Sequence, residues 1–153
     1  MPPPTGWRNH SFLILLGACL FSFNYLLFYI AAEDLATGLL AVIFSTMTVM
    51  NILNGALFLG RRVEGRIVLG SGFGLTGICL VFWPELIAWD KTNNIILAIL
   101  LGVIATYFAS LGSIISINNQ KSGIEVISGN AFGMFYGTAL MAIYALILSL
   151  IHI

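Results

Sequence analysis

Charge is what this sequence has least of. Only 8% of its 153 residues are Asp, Glu, Lys or Arg, against roughly one quarter in soluble domains. With 59% hydrophobic residues and a mean hydropathy of +1.03, the composition excludes a water-soluble fold and leaves an integral membrane protein. Formal net charge is zero, and no basic face exists beyond one short turn, so nucleic acid is not an expected partner. Cysteine is scarce as well. Cys19 and Cys79 both lie inside apolar runs, where a thiol reads as a small hydrophobe and not as a disulfide or metal ligand. His10 and His152 sit near the termini and every carboxylate falls in a turn, which leaves no acid, base or activated nucleophile within an apolar run. No catalytic residue, cofactor or metal is therefore expected.

What the sequence does have is length without charge. The stretch 35–83 is an apolar run to Gly60, a tight basic turn RRVEGR from Arg61 to Arg66, and a second apolar run. At 1.5 Å per residue about 20 apolar residues cross a bilayer, and the same pattern repeats along the chain. It predicts an all-α integral membrane protein of five transmembrane helices, at 11–31, 35–59, 67–83, 95–117 and 126–151. The first run is too long for the roughly 7–15 residue core of a secretory signal. All charged residues lie in the connections or the N-terminal lead, as the cost of about 2.5 to 3.5 kcal/mol for a charge at mid-bilayer requires. With the N-terminus inside, Arg8, Arg61, Arg62, Arg66 and Lys121 are cytoplasmic and only Lys91 is outside. The excess of basic residues on one side predicts N-in and C-out in a plasma or inner membrane. The same bias opposes dual insertion as an antiparallel dimer.

Small residues four apart predict where helices meet: Gly70 with Gly74; Gly129, Gly133 and Gly137; Ala98 with Gly102, then Ala105, Ala109 and Ser113. Gly72 to Gly77 spells GxGxxG, but that string binds dinucleotides only between a strand and a helix of a soluble βαβ unit. Inside a span it is a packing feature. Neutral polar residues supply the only chemistry within the spans. Unpartnered amides are costly in hydrocarbon, so Asn24, Asn51 and Asn54 should face other helices or a wet cavity. Thr48, Asn51 and Gly55 fall at i, i+3 and i+7, one small polar stripe. Interhelical hydrogen bonding and cavity lining both explain it.

Certain motifs resemble a known family. FNYLLFY from Phe23, LATGLLAVIF from Leu35, the FLG turn before Arg61 and Arg62, and the LGxxxGxxGxxL span from Leu69 ahead of Pro84 are similar to spans three to five of the first repeat of an EamA-type transporter of the drug/metabolite transporter superfamily. INNQKSGIEV from Ile117 and NAFGMFYG from Asn130 resemble the first two spans of its second repeat. Residues 1–90 would then end one repeat and 91–153 begin the next, a partial EamA-like inverted-repeat bundle. Two positions depart from the pattern: Arg61 stands where members carry a glutamate, and about Thr48 where they carry a proline. The resemblance implies ten spans in all, so this chain is expected to be a fragment or truncated form.

The function that the resemblance implies is an inner-membrane exporter of small molecules such as amino acids. Inverted-repeat transporters bind solute near the midplane, which nominates Asn24, Thr48, Asn51, Tyr107 and Tyr136 as substrate-binding. Expected partners are the lipid bilayer, a small polar metabolite such as an amino acid, and missing spans or a second chain. Two alternatives stay open: a membrane protein without autonomous transport, and a small multidrug-type antiporter, which would need an intramembrane acid that this sequence lacks.

Overall fold

The computed structural model describes residues 7–87 and 95–151. Its elements there are α1 (Trp7–Leu16), a π-helical segment (Gly17–Phe23), α2 (Asn24–Ala31), α3 (Thr37–Ser45), α4 (Met47–Leu59), α5 (Gly65–Val81), the short α6 (Trp83–Ile87), α7 (Ile95–Lys121) and α8 (Val126–Ile151). The described residues contain no strand. Four helices are long and apolar enough to cross a membrane: Asn9–Ala31, Thr37–Leu59, Ile95–Lys121 and Val126–Ile147. The remaining apolar helix, α5, has 17 residues. At 1.5 Å per residue it measures about 25 Å, slightly less than a typical hydrocarbon core of about 30 Å. Lys91 lies outside the described residues.

α7 is the axis of the bundle. It packs against the first span, α3, α4 and α8, and its buried residues are mostly small or polar, among them Ala98, Gly102, Ala105, Thr106, Ala109, Ser110 and Gly112. Lipid tails are as apolar as leucine, so helices associate in membranes through close backbone approach. The expected small-residue face of this span is thus a contact surface. One apolar cluster, Leu13, Leu16 and Ile124, sits at the end where α7 turns into α8. A second, Ala31, Leu35, Ile43, Ile95 and Ala98, closes the other end.

The first span meets α8 through glycine. A methyl on Gly17 would lie 2.5 Å from the Gly133 carbonyl oxygen and 2.8 Å from the Gly137 nitrogen, and one on Gly137 would lie 2.7 Å from Phe21 Cβ. The seven-residue π-helical segment begins at Gly17, so the wider backbone turn coincides with this closest approach.

Two expectations are corrected. The turn after the fourth span is shorter than residues 118–125, because Asn118 to Lys121 continue α7 to a glycine stop. Gly123 takes φ +85, its N–H returns to the Gln120 carbonyl at 3.0 Å and the Ile124 N–H to Asn119 at 3.1 Å, a Schellman cap with Ile124 buried behind it. The second correction concerns Gly70 and Gly74. A methyl at Gly70, Gly72, Gly74 or Gly77 would meet no atom within 4 Å, and α5 buries no residue at all. Gly70 and Gly74 look across a gap toward α3 and α4 and make no close helix contact among the described residues. The GxGxxG string does lie mid-helix, without the strand that would give it a nucleotide.

The second span breaks at Thr46, between α3 and α4. Ser45 Oγ donates to the Val42 carbonyl and Thr46 Oγ1 to the Ile43 carbonyl, each at 2.6 Å. Such back-bonding hydroxyls bend helices, so the interruption falls within two residues of the position where the family pattern places a proline.

Candidate functional site

α4 ends at Gly60, which takes a left-handed φ of 62. The Arg61 N–H donates to the Gly55 carbonyl at 3.2 Å, and its side chain folds back beside Gly55. The reversal carries the chain into α5, which leans on α3 and α4 only loosely. The gap between them is a cleft of about 300 Å³ lined by Thr48, Asn51, Gly55, Arg61, Arg62 and Glu64, with Ile52, Val63 and Ile67 as its apolar wall. A second hollow of about 350 Å³ shares Thr48 and Ile67 and continues along Ser45, Gly70, Ser71 and Gly74. The two form one furrow from the basic turn to the break at Thr46. Both volumes suit a small solute.

The furrow is chemically graded. Its mouth holds two guanidinium groups and one carboxylate, and its interior hydroxyls, an amide and glycines beside the apolar Ile52, Ile67, Leu75 and Ile78. Asn51 Oδ1 is buried and has no hydrogen-bond partner among the described residues. A buried carbonyl oxygen without a donor costs about 1–3 kcal/mol, which a donor entering the cleft would recover. Thr48, Asn51 and Gly55 share this wall, as their spacing requires.

The other candidate residues lie elsewhere. Asn24 is buried beside the π-helical segment, its Nδ2 at a long 3.5 Å from the Leu20 carbonyl and its Oδ1 unpartnered among the described residues. Tyr136 pairs with His10 across the α1–α8 contact, Oη to Nδ1 at 2.9 Å, with the imidazole edge-on to Phe132. Tyr107 is 41% exposed on the outer face of α7. None of these three lines the furrow. Asn54 faces another helix, as expected of an amide in a span: its Nδ2 donates to Ser110 Oγ at 2.8 Å with both side chains buried. Sequence reasoning passed over Arg61, Arg62 and Glu64, which stand at the cleft mouth. They carried no signal, because a basic turn beside a span reads as a topology determinant.

Uncharged helices of spanning length around a small-residue core, with a furrow between loosely apposed helices, define a multi-pass membrane protein. The model of the EamA-like transporter family matches residues 1–83. This chain belongs to that family, and is therefore a membrane transporter by class. No curated protein and no solved structure matches it.

Proposed function

We propose that this chain forms part of an inner-membrane exporter of small polar metabolites such as amino acids, and that the solute passes along the furrow between α4 and α5. The observation that carries the reading is the unpartnered Asn51 Oδ1 beside Thr48 in a cleft whose mouth bears Arg61, Arg62 and Glu64. A zwitterion offers what these groups lack: an ammonium donor for the amide oxygen and a carboxylate for the guanidinium groups. Thr48 and Asn51 are the solute-facing pair. Asn24, Tyr107 and Tyr136 are not needed for this step. In this reading the N-terminus and the Arg61–Arg66 turn face the cytoplasm and the C-terminus faces out, in keeping with the basic-residue bias. Residues 1–90 close one EamA-like repeat and 91–153 open the next.

The test is export of labelled amino acids from cells carrying the protein with Asn51→Leu. Loss of one directed hydrogen bond should cut the rate about tenfold at unchanged protein level. Unchanged export would mean that the polar stripe only joins helices.

One observation favours a second reading, that this chain does not transport alone. None of the residues of α5 is buried, which leaves its surface free for further spans or a second chain. Reconstitution in liposomes separates the two: uptake by the purified chain establishes autonomy, and its absence beside an active ten-span relative assigns the chain to a larger assembly.

A further inference from the structure

The inner part of the furrow differs from its mouth in what it can bind. Past Thr48 the hollow of about 350 Å³ is walled by Ile67, Leu75 and Ile78, with Ser45 and Ser71 as its polar side chains. Both serines are already engaged. Ser45 Oγ donates to the Val42 carbonyl at 2.6 Å, and Ser71 Oγ donates to the Val68 carbonyl at 2.9 Å. This stretch of wall therefore offers no free hydroxyl donor and no charge. A polar group lodged there would leave water for no equivalent partner, whereas an apolar one gives up nothing.

Glycine supplies the room. Gly70 and Gly74 border the hollow on α5, and a methyl on either would meet no atom within 4 Å. They share a helix face with Ser71, Leu75 and Ile78, which are half-buried, while Phe73 on the opposite side is 77% exposed. Thr48 and Ile67 belong both to this hollow and to the cleft that holds Asn51, Arg61 and Arg62. Gly70 follows Ile67 by one turn, so a solute whose charged groups rest in the cleft has its next carbon atoms beside Gly70. Resting on the solute path proposed above, we infer that the solute is an amino acid with a large apolar side chain, which enters the hollow, and that Gly70 and Gly74 set the size admitted. The mouth recognises the charged end, and the glycine-lined hollow selects the tail.

Binding of radiolabelled leucine, alanine and glutamine to the purified chain in detergent, read by scintillation proximity, supplies the test. Leucine should bind about tenfold more tightly than alanine, as added carbon atoms in an apolar pocket imply. Glutamine, of similar length to leucine, should bind no better than alanine. Gly70→Leu, which fills the hollow, should remove the advantage of leucine and leave alanine binding unchanged. Gly74→Leu makes the same test one turn deeper should Gly70→Leu misfold. Equal binding of leucine and alanine, glutamine that matches leucine, or an undiminished leucine preference in both folded variants would overturn the inference. So would a dimer that Gly70→Leu disperses, since a second copy would then fill the hollow. In those cases the path itself stands if Asn51→Leu still weakens binding of all three amino acids. Should none of the three bind the unmodified chain, the path and the inference fall together.

Discussion

Replacing Gly17 by alanine is expected to destabilise the protein by about 3 kcal/mol or more, at the upper end of overpacking costs. The new methyl would meet the Gly133 carbonyl oxygen at 2.5 Å and the Gly137 nitrogen at 2.8 Å. Both are backbone atoms, so no rotamer change relieves the clash and the whole of α8 must retreat. Gly137→Ala should behave alike, because its methyl meets Phe21 Cβ at 2.7 Å and the Gly17 carbonyl oxygen at 2.8 Å. The two substitutions press on one interface, so their combined cost should fall short of the sum. Gly70→Ala and Gly74→Ala are the controls: each adds a methyl into open space and should lower stability in isolation by no more than about 0.5 kcal/mol, or raise it through helix propensity. Unfolding in mixed micelles, monitored by helical circular dichroism, measures all four. Equal losses at Gly17 and Gly70 would contradict the packing described.

The second large effect is expected at Asn54. Its amide donates to Ser110 Oγ at 2.8 Å, and the two side chains are 4% and 0% exposed. Asn54→Asp keeps the shape but puts a carboxylate where no cation stands. Insertion scales put that penalty at about 2.5–3.5 kcal/mol near mid-bilayer. The loss should be greater at pH 8 than at pH 4, since only the ionised acid carries the cost. Asn54→Leu should lose only about 0.6–1.7 kcal/mol, the range of interhelical hydrogen bonds in membranes. Ser110 can then turn to a carbonyl of its own helix, as Thr106 does to Gly102 at 2.8 Å. Thermal unfolding of the three proteins in detergent at both pH values decides it. A Leu variant weaker than the Asp variant at pH 8 would show that the pair is not in an apolar environment.

The spans were legible because hydrocarbon tolerates so little: uncharged runs of sufficient length, with the connections marked by charge, left few alternatives. The end of α7 was not, because Asn118, Asn119, Gln120 and Lys121 look like a turn by polarity. They extend the helix because no residue before Gly123 stops it and the cap there satisfies the last carbonyls. Glycine spacing identified helices able to approach closely but not their partners. Gly133 and Gly137 meet the first span, whereas Gly70 and Gly74, identically spaced, face a gap toward α3 and α4 and touch nothing closely among the described residues. The difference lies in tertiary arrangement, which a helical repeat does not encode. The π-helical turn at Gly17–Phe23 had no sequence signal that distinguishes it from ordinary α-helix. For the site, the i, i+3, i+7 relation placed Thr48, Asn51 and Gly55 on one wall. It was silent on what faces them, so Asn24, Tyr107 and Tyr136 were gathered by polarity alone and lie apart.

Thiol labelling of intact cells bears most directly on the central claim, that these helices are fitted to lipid with the basic connections on one side. In a background of Cys19→Ala and Cys79→Ala, Glu33→Cys, Arg62→Cys and Ser122→Cys place single thiols at three helix ends. An impermeant maleimide should label Glu33→Cys from outside, and Arg62→Cys and Ser122→Cys only after the membrane is opened. Labelling of Arg62→Cys and Ser122→Cys from opposite sides, or of all three equally from outside, would contradict it.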